Sequence, residues 1–182
     1  VGRLLVAGLC VVPLLSCAAM TKRAPKPIRD LNLPALIKDP KWIKGDCKSE
    51  MRSRGVLGLC AVVVLAKGSR PSNPLEISKS ALEQGKLQLV DTTRSLLLEI
   101  VNTCQARCQI PDGPPRLDLV ARLTKAAVDG ARVLDTWLAA DDNLYGMVSI
   151  DLGAFVKAIN GNPDLFEEAK RELCDRARDS LR

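Results

Sequence analysis

The sequence predicts an all-α protein: an antiparallel three- to four-helix bundle over residues 72–182, preceded by a signal- or anchor-like apolar helix and an extended basic segment. Three observations point there. The chain is rich in Leu, Ala, Glu, Lys and Arg, the straight-chain helix formers. Among 182 residues there are only two Phe, two Trp and one Tyr, few of the aromatics that strands favour. Beyond residue 72, apolar residues recur at three- and four-residue spacing between proline and glycine breakers.

Residues 1–20 form the first segment. Arg3 precedes an apolar run from Leu4 to about Cys17, with small residues at Ser16, Ala18 and Ala19. That is the charged start, apolar middle and small-residue end of a secretory signal. Interrupted by Pro13, the run falls short of the roughly 20 apolar residues a membrane-spanning helix needs. An uncleaved anchor is a second reading. Leu14-Leu15-Ser16-Cys17 is also similar to a bacterial lipobox, in which the cysteine becomes acylated.

Residues 21–71 form a basic arm. Pro25, Pro27, Pro34 and Pro40, with Gly45, push their neighbours away from helix. Between Lys22 and Arg54 the Lys/Arg surplus amounts to +6, while residues 55–182 carry −1. Lys38, Lys41, Trp42 and Lys44 are the candidates for contact with a membrane surface or a partner. Inside this arm lies a second apolar run, residues 55–66, behind Arg52 and Arg54. It is too short to span a bilayer, and reads as a buried helix or strand, a second signal-type segment, or a truncated span.

The body begins at Ser72-Asn73-Pro74-Leu75-Glu76. Asn73 suits the cap, Pro74 the first helical position, and Glu76 the positive end of the helix dipole. This first helix is expected to run to about Cys108 on a stripe of Leu82, Leu89, Leu96, Leu97, Ile100, Cys104 and Cys108, weakened locally by Gly85. Residues 111–115, Pro-Asp-Gly-Pro-Pro, end it. A second helix is expected over about 115–139, with Leu117, Val120, Leu123, Ala127, Ala131, Leu134 and Leu138 inward. A third fits 149–160, stopped by Gly161. Asn162-Pro163 restarts the chain into a last helix carrying Phe166, Ala169, Leu173, Ala177 and Leu181. Leu89, Ile100, Val120, Leu134, Phe166 and Leu173 are expected to share one core.

Composition also excludes chemistry. There is no histidine, which removes Ser-His-Asp and Cys-His triads, histidine zinc sites and any imidazole acid or base. The body is near neutral and poor in aromatic platforms, so no nucleic-acid partner is expected. Of seven cysteines, Cys104, Cys108 and Cys174 fall near inner helix faces. They read as small buried thiols, or as a disulfide joining Cys174 to Cys104 or Cys108 in an oxidising compartment. A metal site lacks enough soft ligands, and no cofactor is expected. Asp141, Asp142 and Asp151 read as a solvated helix end, because they lack the ligand spacing of a calcium loop. Gly55 to Gly58 lacks the Gly-Lys-Ser/Thr of a phosphate loop. No Asn-x-Ser/Thr acceptor occurs.

Taken together, the first 70 residues resemble a multipartite plastid presequence: a secretory signal, a basic stretch poor in acids, then a short apolar run behind arginines. Residues 52–61, from Arg52 to Ala61, are similar to thylakoid-transfer signals of lumen proteins in algae with secondary plastids, although Ser53 splits the arginine pair. The body resembles the small four-helix extrinsic subunits of photosystem II, the PsbQ type. The shared features are a proline-broken start, short amphipathic helices, and Leu117, Val120 and Leu123 leading to Asp135 and Tyr145. It carries more cysteine and less tyrosine than that family. The resemblance implies a non-enzymatic subunit that docks on a larger membrane complex at the lumenal side of a thylakoid. The alternatives are a bacterial lipoprotein or secreted or periplasmic binding module, and a single-pass anchored subunit of a respiratory or photosynthetic complex.

Overall fold

Three side chains begin helices in the same way. Asp46, Asn73 and Asp151 accept the backbone N–H groups of Ser49, Leu75 and Ala154 at 3.3, 3.0 and 2.9 Å, satisfying donors that the first helical turn leaves unpaired. They open α1 (Cys47–Ser53), α2 (Pro74–Cys104) and α4 (Leu152–Asn160). Pro114 and Pro115 open α3 (Pro114–Asp129), and α5 (Glu167–Ser180) follows Phe166. The computed structural model describes residues 39–65, 73–139 and 143–182. The apolar run of residues 4–17, the cysteines Cys10 and Cys17, and the contact candidate Lys38 lie outside them.

The fold is mostly helical but not all-α. Three strands, β1 (Gly58–Leu65), β2 (Arg132–Leu138) and β3 (Leu144–Asp151), form an antiparallel sheet in the order β1-β3-β2. The second helix therefore stops at Asp129 rather than near 139, and residues 132–138 form strand β2. Gly130 ends the helix, with its N–H on the carbonyls of Ala127 and Val128. Beyond it, Val133, Thr136 and Trp137 are β-branched or aromatic and gain more from pairing with β3 than from continuing the helix. The third helix starts at Leu152 rather than 149, because Ser149 and Ile150 pair with Cys60 and Leu59. Residues 58–65 are likewise a sheet strand, whose length suits a strand better than a helix. α2 ends at Cys104, one turn early.

One face of the sheet packs on α2. Leu59, Ala61, Val63 and Leu65 alternate inward along β1, opposite Ile150, Val148, Gly146 and Leu144 of β3. Contact is closest where small residues meet. A Cβ placed on Gly146 would lie 2.8 Å from the Ala81 Cβ, and one on Gly85 would lie 2.5–2.7 Å from three carbons of Val148. Gly85 is therefore the point where helix and central strand touch, and its cost to the helix is the condition of that contact. Gly85→Ala is expected to lower the melting temperature. Intrinsic propensity favours Ala by about 1 kcal/mol, but overpacking against a strand held on both sides costs about 1–3 kcal/mol. A thermal melt checks the sign; a rise would mean that α2 can retreat from the sheet.

The main core joins this face to α3, α4 and α5. Leu89, Ile100, Val120 and Leu173 lie in it as expected, with Val63, Leu97, Leu123, Phe155 and Ile159. Two expected members do not. Phe166 is exposed just before α5, and Leu134 is half-buried at a bulge of β2, where the register with β3 shifts between Val133 and Asp135. Leu134 packs instead into a smaller cluster on the sheet's other face, built on Trp42, Cys47 and Met147. The 3-10 turn Lys41–Lys44 and α1 cover that face, and a Cys47–Cys60 disulfide ties α1 to β1. Arg54 bonds both Glu50, at 2.9 Å, and Asp135 on β2, at 2.7 Å. The described part of the arm thus packs with the body in one compact unit, and the division expected at residue 72 does not follow the packing.

Candidate partner-binding groove

α3 packs on α2 with one side and on α4 with another, and its free flank faces the connection from Gly161 to Phe166. Two cavities of about 470 Å³ each lie along that flank. The first is walled by Ala126 and Gly130 of α3, Ala154, Lys157 and Ala158 of α4, and Pro163. The second is walled by Ile110, Pro111, Pro115, Leu119, Leu165 and Phe166 beside Cys108. Arg122 belongs to both, and its 2.6 Å ion pair with Asp164 divides them. From Pro115 to Gly130 the shared wall runs about 22 Å at 1.5 Å per residue.

Sequence explains the shape. The alanines and glycines let α3 and α4 approach so closely that a Cβ on Gly130 would lie 2.8 Å from that of Ala154. At the other end the rim is stiff. The Cys104–Cys108 disulfide holds the end of α2 against the following turn, where Gln109 adopts a positive φ of 48°. Gly113, at φ 77°, and the proline pair then start α3. Arg116 braces this turn through Gln105 at 3.0 Å and Asp112 at 3.1 Å.

The walls are mainly apolar, and Phe166 stands 41% exposed at one end. Two carboxylates at the groove are already engaged, Asp164 by Arg122 and Asp129 by Lys125 at 2.7 Å. The hydrogen bond from Lys125 holds the Asp129 carboxyl below its usual range. These exposed pairs contribute little stability, but they leave Lys157 as the groove's cation without an ion pair among the described residues.

The site candidates from the sequence lie in three places. Cys104 and Cys108 are bonded to each other, beside the groove. Cys174 is a free, half-buried thiol on α5, 3.7 Å from the Asn160 Oδ1, and burial pushes its pKa up. The alternative of pairing it with Cys104 or Cys108 is not formed. Lys41 and Lys44 are exposed, but Trp42 is only 1% exposed and is a core residue, not a contact. Its indole packs with Cys47 and Met147 on the sheet face that the turn covers, and Ile43 of the same turn packs against that cluster. Among the described residues no group of three or more Cys, Asp or Glu could hold a metal ion, and no helix is long and apolar enough to cross a membrane. Asp151 caps α4 and pairs with Arg132 at 2.8 Å; Asp141 and Asp142 lie outside the described residues.

Sequence reasoning missed the Cys47–Cys60 bond and the groove. Cys47 and Cys60 were visible, but one lay in a presumed arm and the other in an apolar run with several readings. The groove's clue was the one unbroken-looking helix that contained Gly130. Two disulfides are consistent with an oxidising, non-cytoplasmic environment. No protein-family model matches the chain, and no curated protein matches it.

Proposed function

We propose that this chain is a non-enzymatic docking subunit on the non-cytoplasmic side of a membrane, where it holds an apolar segment of another subunit in the groove along α3. The observation that carries this reading is the groove itself: two pre-formed, mainly apolar cavities along about four helical turns of α3, parted by the Arg122–Asp164 ion pair and framed by a disulfide and three prolines. Such a frame binds with little ordering cost, which is where affinity is otherwise lost. The partner segment is apolar with an acidic residue, placed to meet Lys157 at the end away from Phe166. An absence of catalysis is supported by the missing histidine, by Cys104 and Cys108 being bonded to each other, and by a Cys174 thiol that burial keeps protonated. The thylakoid lumen is the setting implied by the photosystem resemblance, although a three-stranded sheet is not part of the four-helix arrangement that suggested it. A bacterial periplasm, with Cys17 acylated, suits the same fold and disulfides.

Native gels of the source membrane test this. The full chain is expected to migrate with a large assembly, and Phe166→Asp to release it while leaving its melting temperature within a few degrees of the parent. A chain that migrates alone, or a Phe166→Asp variant that stays bound, would overturn the reading.

A further inference from the structure

The two outer strands of the sheet are finished differently. Leu152 donates its N–H to the Leu57 carbonyl at 2.8 Å, and Ala139 donates to that of Asn143 at 2.9 Å. In an antiparallel sheet these two bonds fix which residues face β3 and which face away. On β1, Leu59, Ala61, Val63 and Leu65 bond β3, so Gly58, Cys60, Val62 and Val64 turn their N–H and C=O groups outward. On β2, Thr136 and Leu138 turn outward in the same way.

The edge of β2 is guarded against a further strand. Its register breaks at the bulge between Val133 and Asp135. The Asp135 carboxylate also accepts the outward N–H of Thr136 at 2.9 Å and holds Arg54 at 2.7 Å. Bulges and charged side chains are the devices that blunt a sheet edge. β1 has neither. Gly58–Leu65 contains no charged residue and no proline, and its register with β3 runs unbroken over eight residues. Among the described residues no hydrogen bond reaches the outward groups of its four edge residues. A row of alternating donors and acceptors at strand spacing is matched by another extended backbone.

We infer that the free edge of β1 pairs antiparallel with the same edge of a second copy of this chain, making one six-stranded sheet, β2-β3-β1-β1-β3-β2. The two-fold axis passes between the two Ala61 residues, so Gly58 meets Val64 of the second copy and Cys60 meets its Val62. All four outward residues then find a partner, and each pair exchanges two hydrogen bonds. The occupant is a second copy because the strand is uncharged, fits itself in this register and carries nothing that guards against self-pairing. Val64, 51% exposed, gains cover opposite a residue with no side chain. Charge sets the direction. Lys48 and Arg52 flank the Gly58 end of β1. Parallel pairing would bring both sets of cations together, whereas antiparallel pairing holds them about 20 Å apart, at about 3.4 Å per residue. The seam is short, so the dimer is weak and depends on concentration. The inference rests on the β1 edge and not on the groove along α3.

Sedimentation of the full chain over a concentration series tests this, with amide exchange as a second readout. The parent chain is expected to pass from monomer to dimer as concentration rises, and the Cys60 and Val62 amides to exchange more slowly in the dimer. Val64→Pro removes an N–H that the monomer does not use. It is expected to abolish the dimer while leaving the melting temperature within a few degrees of the parent. Val64→Lys sets a cation beside Lys48 and Arg52 of the second copy, and Val64→Glu sets an anion there. The lysine is expected to weaken the dimer roughly ten-fold more than the glutamate. A chain monomeric at every concentration, a dimer that survives Val64→Pro, or equal effects of lysine and glutamate would overturn the inference. So would Cys60 and Val62 amides that slow only when another protein of the source is added. Phe166→Asp, the groove variant, leaves this dimer unchanged, so the two readings fail separately.

Discussion

Phe155→Ala is expected to cost about 3–5 kcal/mol, the range for truncating a fully buried phenylalanine. Phe155 is 0% exposed and belongs to the main core, on a helix that joins β3 directly and packs on both α3 and α5. Removing its ring leaves a void that none of these elements can close alone, because α4 is held at its start by Asp151 and at its end by Gly161. Against a typical total of about 5–15 kcal/mol, that loss is severe. Phe166→Ala is the matched control. The same truncation at a 41% exposed ring is expected to cost less than about 1 kcal/mol. Urea unfolding of the two variants at unchanged m-value checks the contrast. Similar losses at both positions would mean that Phe166 is covered in the native fold and that the groove is closed.

Removing the Cys47–Cys60 bond, as Cys47→Ser with Cys60→Ser, is expected to cost about 3 kcal/mol. The two residues are 13 apart in sequence, so the bond restricts a loop of moderate length in the unfolded chain. In the native state it also fixes α1 over the sheet, next to Trp42 and Met147. The paired change Cys104→Ser with Cys108→Ser removes a bond that closes a loop of only four residues and is expected to cost less, about 2 kcal/mol. The order of the two losses, read from unfolding midpoints, is the check. A silent Cys47/Cys60 pair would show that residues 41–53 contribute nothing to the stability of the body and behave as the separate arm that their charge suggested. Lys44→Ala, in contrast, removes only an exposed charge and is expected to leave the midpoint within about 0.5 kcal/mol.

Helix starts were legible because capping is local. Asn73-Pro74 opens α2 as expected and Gly161 ends α4, but Asn162-Pro163, expected to open the last helix by the same device, makes only a turn in which Asn162 accepts the Asp164 N–H, and α5 begins at Glu167. The buried stripe through Leu89, Ile100 and Val120 was also legible, since a three-to-four spacing needs no knowledge of the partner surface. The groove was not. It depends on the small residues of two helices, Gly130 and Ala154 among them, meeting across a gap of more than 20 residues in sequence, and on an amphipathic stripe ending sooner than its spacing implied. Leu134 shows the ambiguity most sharply: on a helix it would continue the stripe of Leu123 and Ala127, yet on β2 it sits at a bulge.

By itself the sequence determined the Asn73-Pro74 helix start, the breakers, the exclusion of imidazole chemistry and the segregation of basic charge toward residues 22–54. Each is a property of a few neighbouring residues or of composition. Only the tertiary structure decided that residues 58–65 and 132–138 are strands, that Trp42 is core, and which cysteines pair. A strand satisfies its backbone N–H and C=O groups on another strand, and β1 finds its partner β3 about 80 residues away. Neither this pairing nor the disulfide that ties α1 to β1 is fixed by the spacing of apolar residues along either segment. The same holds for the groove, which exists only once distant segments have been brought together.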